Sequence, residues 1–166
     1  PHHAKPLQDV LYAIENADVI LLGPGSLYTS IIPNLLVDGI GSAIKESPAL
    51  KVYVCNVMTQ QCETENYSVY DHIAALESHS LRGIVDHCIV NKADIPAQIR
   101  KRYLEEGADR VRIDYDRISD VGIKLLEGDI LSFERNLVRH DPRKLAAMII
   151  EFATEKLAGR SQVTIK

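Results

Sequence analysis

The chain has 166 residues, 46% apolar and 25% charged, with 19 basic against 23 acidic side chains and a formal charge of −4. Those proportions fit one globular domain with a sizeable core, and they exclude disordered and fibrous classes. A net negative charge offers no basic footprint for a phosphate backbone, so nucleic acid is not an expected partner. No apolar run reaches the roughly 18 to 20 residues of a membrane span, and no leader segment opens the chain, so a cytoplasmic protein is expected.

In chain order, Leu7, Val10, Leu11 and Ile14 stand at helical spacing, and residues 18–22 form a short apolar strand stopped by Gly23. A helix follows around residues 39–46, then a strand over 51–55, a helix over 68–80, a strand within 84–90 and a helix over 96–106. Pro96 suits that helix's first turn, where its missing N–H costs nothing. Short apolar runs alternating with helices predict a Rossmann-like three-layer α/β domain with a mostly parallel sheet covered on both faces. Beyond Gly107 the pattern weakens, and residues 112–115 and 129–133 are the candidate strands. Asp141 then caps a last helix with Pro142 at its first position and Leu145, Met148, Ile149 and Phe152 as one apolar stripe. Residues 1–158 read as a single domain and 159–166 as a frayed polar tail. A chain opening at Pro1 without an initiator Met is expected to be the C-terminal part of a longer one.

Ligands of open α/β sheets bind beyond the carboxyl ends of strands, which directs attention to the loops after Leu22, Cys55 and Val90, the first two of which are unusual. The first runs Gly23, Pro24, Gly25, Ser26, Leu27, Tyr28, Thr29, Ser30. Its glycines permit close backbone approach, its hydroxyls donate, and a helix starting near Ser30 would add free N–H groups suited to a phosphate. The alternative is a strand-to-helix turn whose hydroxyls cap the helix. The dinucleotide fingerprint fails, because Tyr28 holds the third glycine's position and no acidic residue ends the next strand. The second loop, residues 56–67, is too long for a simple connection and rich in amides, hydroxyls and carboxylates, among them Asn56, Thr59, Gln60, Glu63 and Thr64. Such side chains read base edges or sugar hydroxyls; a solvated loop with Asn66 or Ser68 capping the next helix is the plainer alternative.

Other candidates carry less. Glu63 and Glu65 alone do not define a metal site, and none is expected. Cys62 has no histidine near it in sequence, while Cys55 and Cys88 sit in apolar strands as small core residues, and three cysteines without a CxxC pair read as reduced thiols. His72 and His79 lie two helical turns apart, too far to share a metal, and His87 reads as a satisfied core histidine. Residues 100–102 form a basic run followed by Glu105 and Glu106, a solvated helix face.

GPGSLYTSIIPNLLVDGI at residues 23–40, NVMTQ at 56–60, ETENY at 63–67 and the pair Asp71-His72 together resemble the gluconeogenesis-factor branch of the 2-phospho-L-lactate transferase (CofD) superfamily. Val138-Arg139-His140-Asp141 resembles that branch's C-terminal segment, so the resemblance covers nearly the whole chain. It implies a Rossmann-like fold that binds a nucleotide or nucleotide sugar. For the bacterial branch it implies UDP-N-acetylglucosamine as ligand and a role in carbon-source adaptation and cell shape. Relatives carry glycines where this chain has Cys62 and Asn66, so both must tolerate glycine-like backbone, Asn more easily than Cys.

Two functions compete on these residues. In a regulatory binder, Gly23 to Ser30 would surround a diphosphate, Tyr28 would stack on a base or sugar, and Asn56, Thr59, Gln60, Glu63 and Thr64 would contact the sugar or complete the cleft. The alternative, a transferase passing phospholactate from a guanosine diphosphate donor, needs Mg²⁺ or cationic side chains. Neither loop contains Lys or Arg, which favours the binder. Catalytic residues are unassigned, no cofactor is expected for a binder, and homo-oligomerisation is left open.

Overall fold

The computed structural model describes residues 4–134 and 137–163, with side chains to Gly159. Strands β1 (Val19–Leu22), β2 (Leu50–Val54), β3 (His87–Asn91) and β4 (Lys124–Gly128) pair in chain order as one parallel sheet. Val19 lies opposite Leu50, Val52 opposite His87, and His87 opposite Lys124. Every residue of β2 and β3 is buried. Continuous apolar runs of this kind are what a strand covered on both faces requires.

The first three strands alternate with helices as the sequence predicts: α1 (Gln8–Glu15), α2 (Ile32–Leu35), α3 (Ile40–Glu46), α4 (Val69–Ser78) and α5 (Ala97–Glu105). Because side chains alternate across a strand, Tyr53, Cys55, Cys88 and Val90 join one core with Leu27, Ile44, Ile73 and Leu76, while Val52, Val54 and Ile89 form another. Helix α7 (Pro142–Val163) covers the second face. Its predicted stripe packs there, Leu145 and Phe152 buried and Met148 and Ile149 partly so. Burial of such a side chain stabilises by about 1.5 to 3 kcal/mol. Asp141 caps the helix, its Oδ1 accepting from the Arg143 and Lys144 N–H groups at 2.9 and 3.1 Å.

Departures from expectation cluster after Gly107. Residues 112–115 are not a strand: Arg112 makes a single bridge to Ser68, and α6 (Tyr115–Asp120) begins at Tyr115. The fourth strand is β4, which carries Lys124 and Glu127 because it forms a sheet edge with less cover than β2 and β3. Residues 129–133 contribute only in part, as β5 (Leu131–Glu134), which pairs antiparallel with β6 (Leu137–His140) in a separate two-stranded sheet. Pro96 is the N-cap of α5 rather than its first helical residue. Helix α7 continues past Gly159 to Val163, and residues 164–166 of the expected tail lie outside the described residues.

Candidate functional site

The chain leaves β1 at Gly23 with φ +90°, where an added Cβ would stand 3.1 Å from both Ile31 Cδ1 and Val54 O, so only glycine fits. After a cis Gly23–Pro24 peptide, the Ser26 carbonyl accepts from both Ser30 N–H (3.0 Å) and Ile31 N–H (3.1 Å), making a π-helical turn over Leu27–Ile31. The turn points Leu27 and Ile31 into the core. Three of its donors are already engaged. Ser26 Oγ–H and Tyr28 N–H both donate to Glu63 Oε1, at 2.5 and 3.0 Å, and Thr29 Oγ1–H donates to Ser26 Oγ at 2.6 Å. The chain's own Glu63 carboxylate thus sits against the loop that was expected to surround a diphosphate.

The second loop is a folded unit. Gln60 N–H donates to Thr64 Oγ1 (3.0 Å), while the Gln60 carbonyl accepts from Glu63 and Thr64 N–H at 3.2 and 2.9 Å. Cys62 and Asn66 adopt φ of +60° and +62°, the left-handed conformation that the missing glycines implied. Thr59 ties this loop to the segment after α5, its N–H donating to Asp109 O at 2.8 Å and its Oγ1 accepting from Asp109 N–H at 2.9 Å. Val111 N–H donates to Val57 O at 2.9 Å in the same rib. Ser68 and Asp71 then cap α4 reciprocally, Asp71 N–H donating to Ser68 Oγ at 3.2 Å and Ser68 N–H to Asp71 Oδ2 at 2.9 Å.

A third segment comes from much later in the chain. Strand β6 carries Arg139 and His140 to the carboxyl end of β2, where His140 Nε2–H donates to the Cys55 carbonyl at 3.2 Å. Burial lowers the pKa of His140 in spite of that bond. Together the three segments enclose a cleft of about 570 Å³ lined by Pro24 to Ser26, Asn56 to Gln60, Tyr103 and Leu137 to His140. The Arg139 side chain has no hydrogen-bond or ion-pair partner among the described residues.

Six of the candidate residues therefore line one cleft: Pro24, Gly25, Ser26, Asn56, Thr59 and Gln60. The others do not, for identifiable reasons. Gly23 makes the turn, Leu27 is core, and Thr64 is fully buried as the acceptor that closes its own loop. Glu63 bonds the first loop from outside the cleft lining. Thr29 and Ser30 are exposed outside the cleft. Tyr28 is no open stacking platform: its OH lies 2.8 Å from Tyr67 OH, and its ring meets Tyr67 and His79 edge-on at 6.4 and 5.7 Å. The hydroxyl pair and partial burial push its pKa up to about 12. His87 is core but not satisfied, since both its ring nitrogens lack hydrogen-bond partners.

Sequence reasoning did not place Tyr103, Arg139 and His140 beside this cleft. For Arg139 and His140 the sequence signal is the Val138–Asp141 block, whereas Tyr103 carries none. No group of three or more His, Cys, Asp or Glu side chains among the described residues is arranged to hold a metal. Among those residues no single helix is long and apolar enough to cross a membrane.

A sequence model of 2-phospho-L-lactate transferase CofD matches residues 1–131. The chain is 41% identical over 155 residues to the gluconeogenesis factor of Bacillus subtilis, covering 93% of this chain and 49% of that protein. It is 47% identical over 150 residues to a putative gluconeogenesis factor of Thermoanaerobacterium thermosulfurigenes, covering 90% and 46%. A crystal structure of a UPF0052-family protein from Bacillus halodurans superposes with a TM-score of 0.83 at 43% identity, covering 86% of this chain and 46% of that one. The chain thus spans about half the length of these relatives. With its motif blocks, its parallel sheet and the match over residues 1–131, the chain belongs to the family of 2-phospho-L-lactate transferase CofD, with gluconeogenesis factors among its relatives.

Proposed function

We propose that this chain forms part of a regulatory nucleotide-sugar-binding protein whose ligand, of the UDP-N-acetylglucosamine type, occupies the cleft between Gly25, Asn56 and Arg139. The observation that carries this reading is Arg139, an uncommitted cation beside a loop of amides. A guanidinium fork matches diphosphate oxygens bidentately, and the Asn56 and Gln60 amides offer donor and acceptor together to sugar hydroxyls or an acetamido group. The diphosphate belongs near Arg139 rather than on the π-turn, whose Ser26 hydroxyl and Tyr28 N–H Glu63 holds. Relatives named as gluconeogenesis factors support a role in carbon-source adaptation, and a cytoplasmic protein linked also to cell shape belongs to the same proposal.

The second reading, a transferase using a guanosine diphosphate donor, draws support from the family's name and from the same Arg139. The absence of Lys and Arg from the two loops no longer counts against it, since the fold brings a cation from β6. Calorimetry of the full-length protein with UDP-N-acetylglucosamine and with GDP, each with and without Mg²⁺, separates the two. The binder predicts Mg²⁺-independent binding of the UDP sugar, weakened about ten- to hundredfold by Arg139→Ala. Binding of GDP alone, and only with Mg²⁺, would give first place to the transferase.

A further inference from the structure

A second cavity, of about 730 Å³, opens beside the first and shares Thr59 with it. That size falls in the range of small-molecule sites. Its lining combines an apolar floor with cations. Leu104, Ala108, Val111 and Ile113 supply the floor, and Leu104 stays 53% exposed on a helix that buries none of its residues. Three arginines and two carboxylates line the rest. Most of that charge is spent internally. Arg100 forks onto Asp109 with two bonds of 2.8 Å, and Glu65 Oε1 accepts from Cys62 N–H at 2.9 Å. Arg110 donates to Asn91 O at 3.1 Å and lies 3.6 Å from Asp94.

Arg112 is the exception. It is exposed, its backbone carbonyl fixes it by accepting from Val69 N–H at 2.9 Å, and its side chain has no hydrogen-bond or ion-pair partner among the described residues. We propose that this cavity is a second ligand site, for a small organic oxyanion with an apolar or planar body, anchored by Arg112. The guanidinium takes the oxyanion, and the body covers the floor around Leu104 and Ile113. The site does not depend on what occupies the Arg139 cleft. Tyr67 lines it and contacts Tyr28, so it also adjoins the loop that Glu63 holds.

The test is titration of the full-length protein with phenyl phosphate and with benzoate, followed by amide chemical shifts. Saturating shifts are expected at Asn66, Arg112 and Ile113 with at least one of the two probes. Arg112→Ala should weaken that binding at least about tenfold, while Arg139→Ala leaves it unchanged. Inorganic phosphate, lacking the body, should bind about tenfold more weakly than the better probe. Shifts confined to the surroundings of Gly25 and Arg139, loss of binding in Arg139→Ala but not in Arg112→Ala, equal affinity for inorganic phosphate, or no response to either probe would each overturn the proposal. Arg112 is a surface side chain whose structural bonds are made by its backbone, so the substitution leaves the fold intact.

Discussion

Ser26 Oγ donates to Glu63 Oε1 across 2.5 Å, joining two loops that lie 37 residues apart in the chain. The same carboxylate oxygen accepts the Tyr28 N–H, so one side chain of the second loop organises the π-turn of the first. Substituting Ser26 therefore acts on the geometry of both loops. A double-mutant cycle of Ser26→Ala and Glu63→Ala, measured by chemical denaturation, should show a coupling of about 1.5 to 3 kcal/mol, the range for a hydrogen bond to a charged group. Additive effects would dissolve the link.

Glycine restores the left-handed positions unequally. Cys62 at φ +60° carries a side-chain penalty of roughly 1 to 2 kcal/mol, partly offset by the entropy that glycine costs. Cys62→Gly should stabilise the chain by about 1 kcal/mol and Asn66→Gly by much less, because Asn visits this region more readily. Denaturation midpoints of the two variants check the order.

Thr59 holds the rib between the two cavities. Thr59→Val leaves the Asp109 N–H without its acceptor at nearly constant side-chain volume, a loss of about 1 to 3 kcal/mol. Hydrogen exchange at Asp109 should quicken more than exchange in β2. Unchanged protection at Asp109 would mean that the backbone bond from Thr59 N–H to Asp109 O suffices alone.

His87 lies buried under α7, its ring 4.7 Å from that of Phe152. Burial lowers its pKa; Asp86 opposes the shift, and Lys124 and Lys156 reinforce it. A folded pKa below the unfolded value means the unfolded chain binds the proton more tightly. Stability is then complete above about pH 6.5 and falls as pH drops toward the folded pKa. Burial lowers His72 and His140 in the same direction. The melting temperature should therefore decline between pH 7.5 and 5.5. His87→Leu should flatten part of that decline and gain about 1 kcal/mol at neutral pH by removing two unpaired nitrogens. An unchanged pH slope in the variant would clear His87 of the effect.

What the sequence determined by itself was whatever depends on local periodicity and backbone freedom. Short apolar runs named β1, β2 and β3, the last two because strands covered on both faces are mostly apolar, and β1 because its four residues are all aliphatic although it lies at a sheet edge. Asp141-Pro142 and the stripe from Leu145 to Phe152 placed α7, and the glycine pattern foretold left-handed backbone at Cys62 and Asn66. Strand β4 escaped because an edge strand can carry Lys124 and Glu127 and so loses the apolar run that would betray it. The site was only half legible for a different reason. Asn56, Gln60 and Ser26 sit in loops whose composition is unusual in itself, whereas Arg139 reaches them through β6, more than 75 residues downstream of all three. Whether a hydroxyl or N–H is available to a ligand was likewise beyond the sequence. Glu63 engages Ser26 and Tyr28 only because tertiary packing brings the second loop onto the first, and no spacing along the chain records that contact.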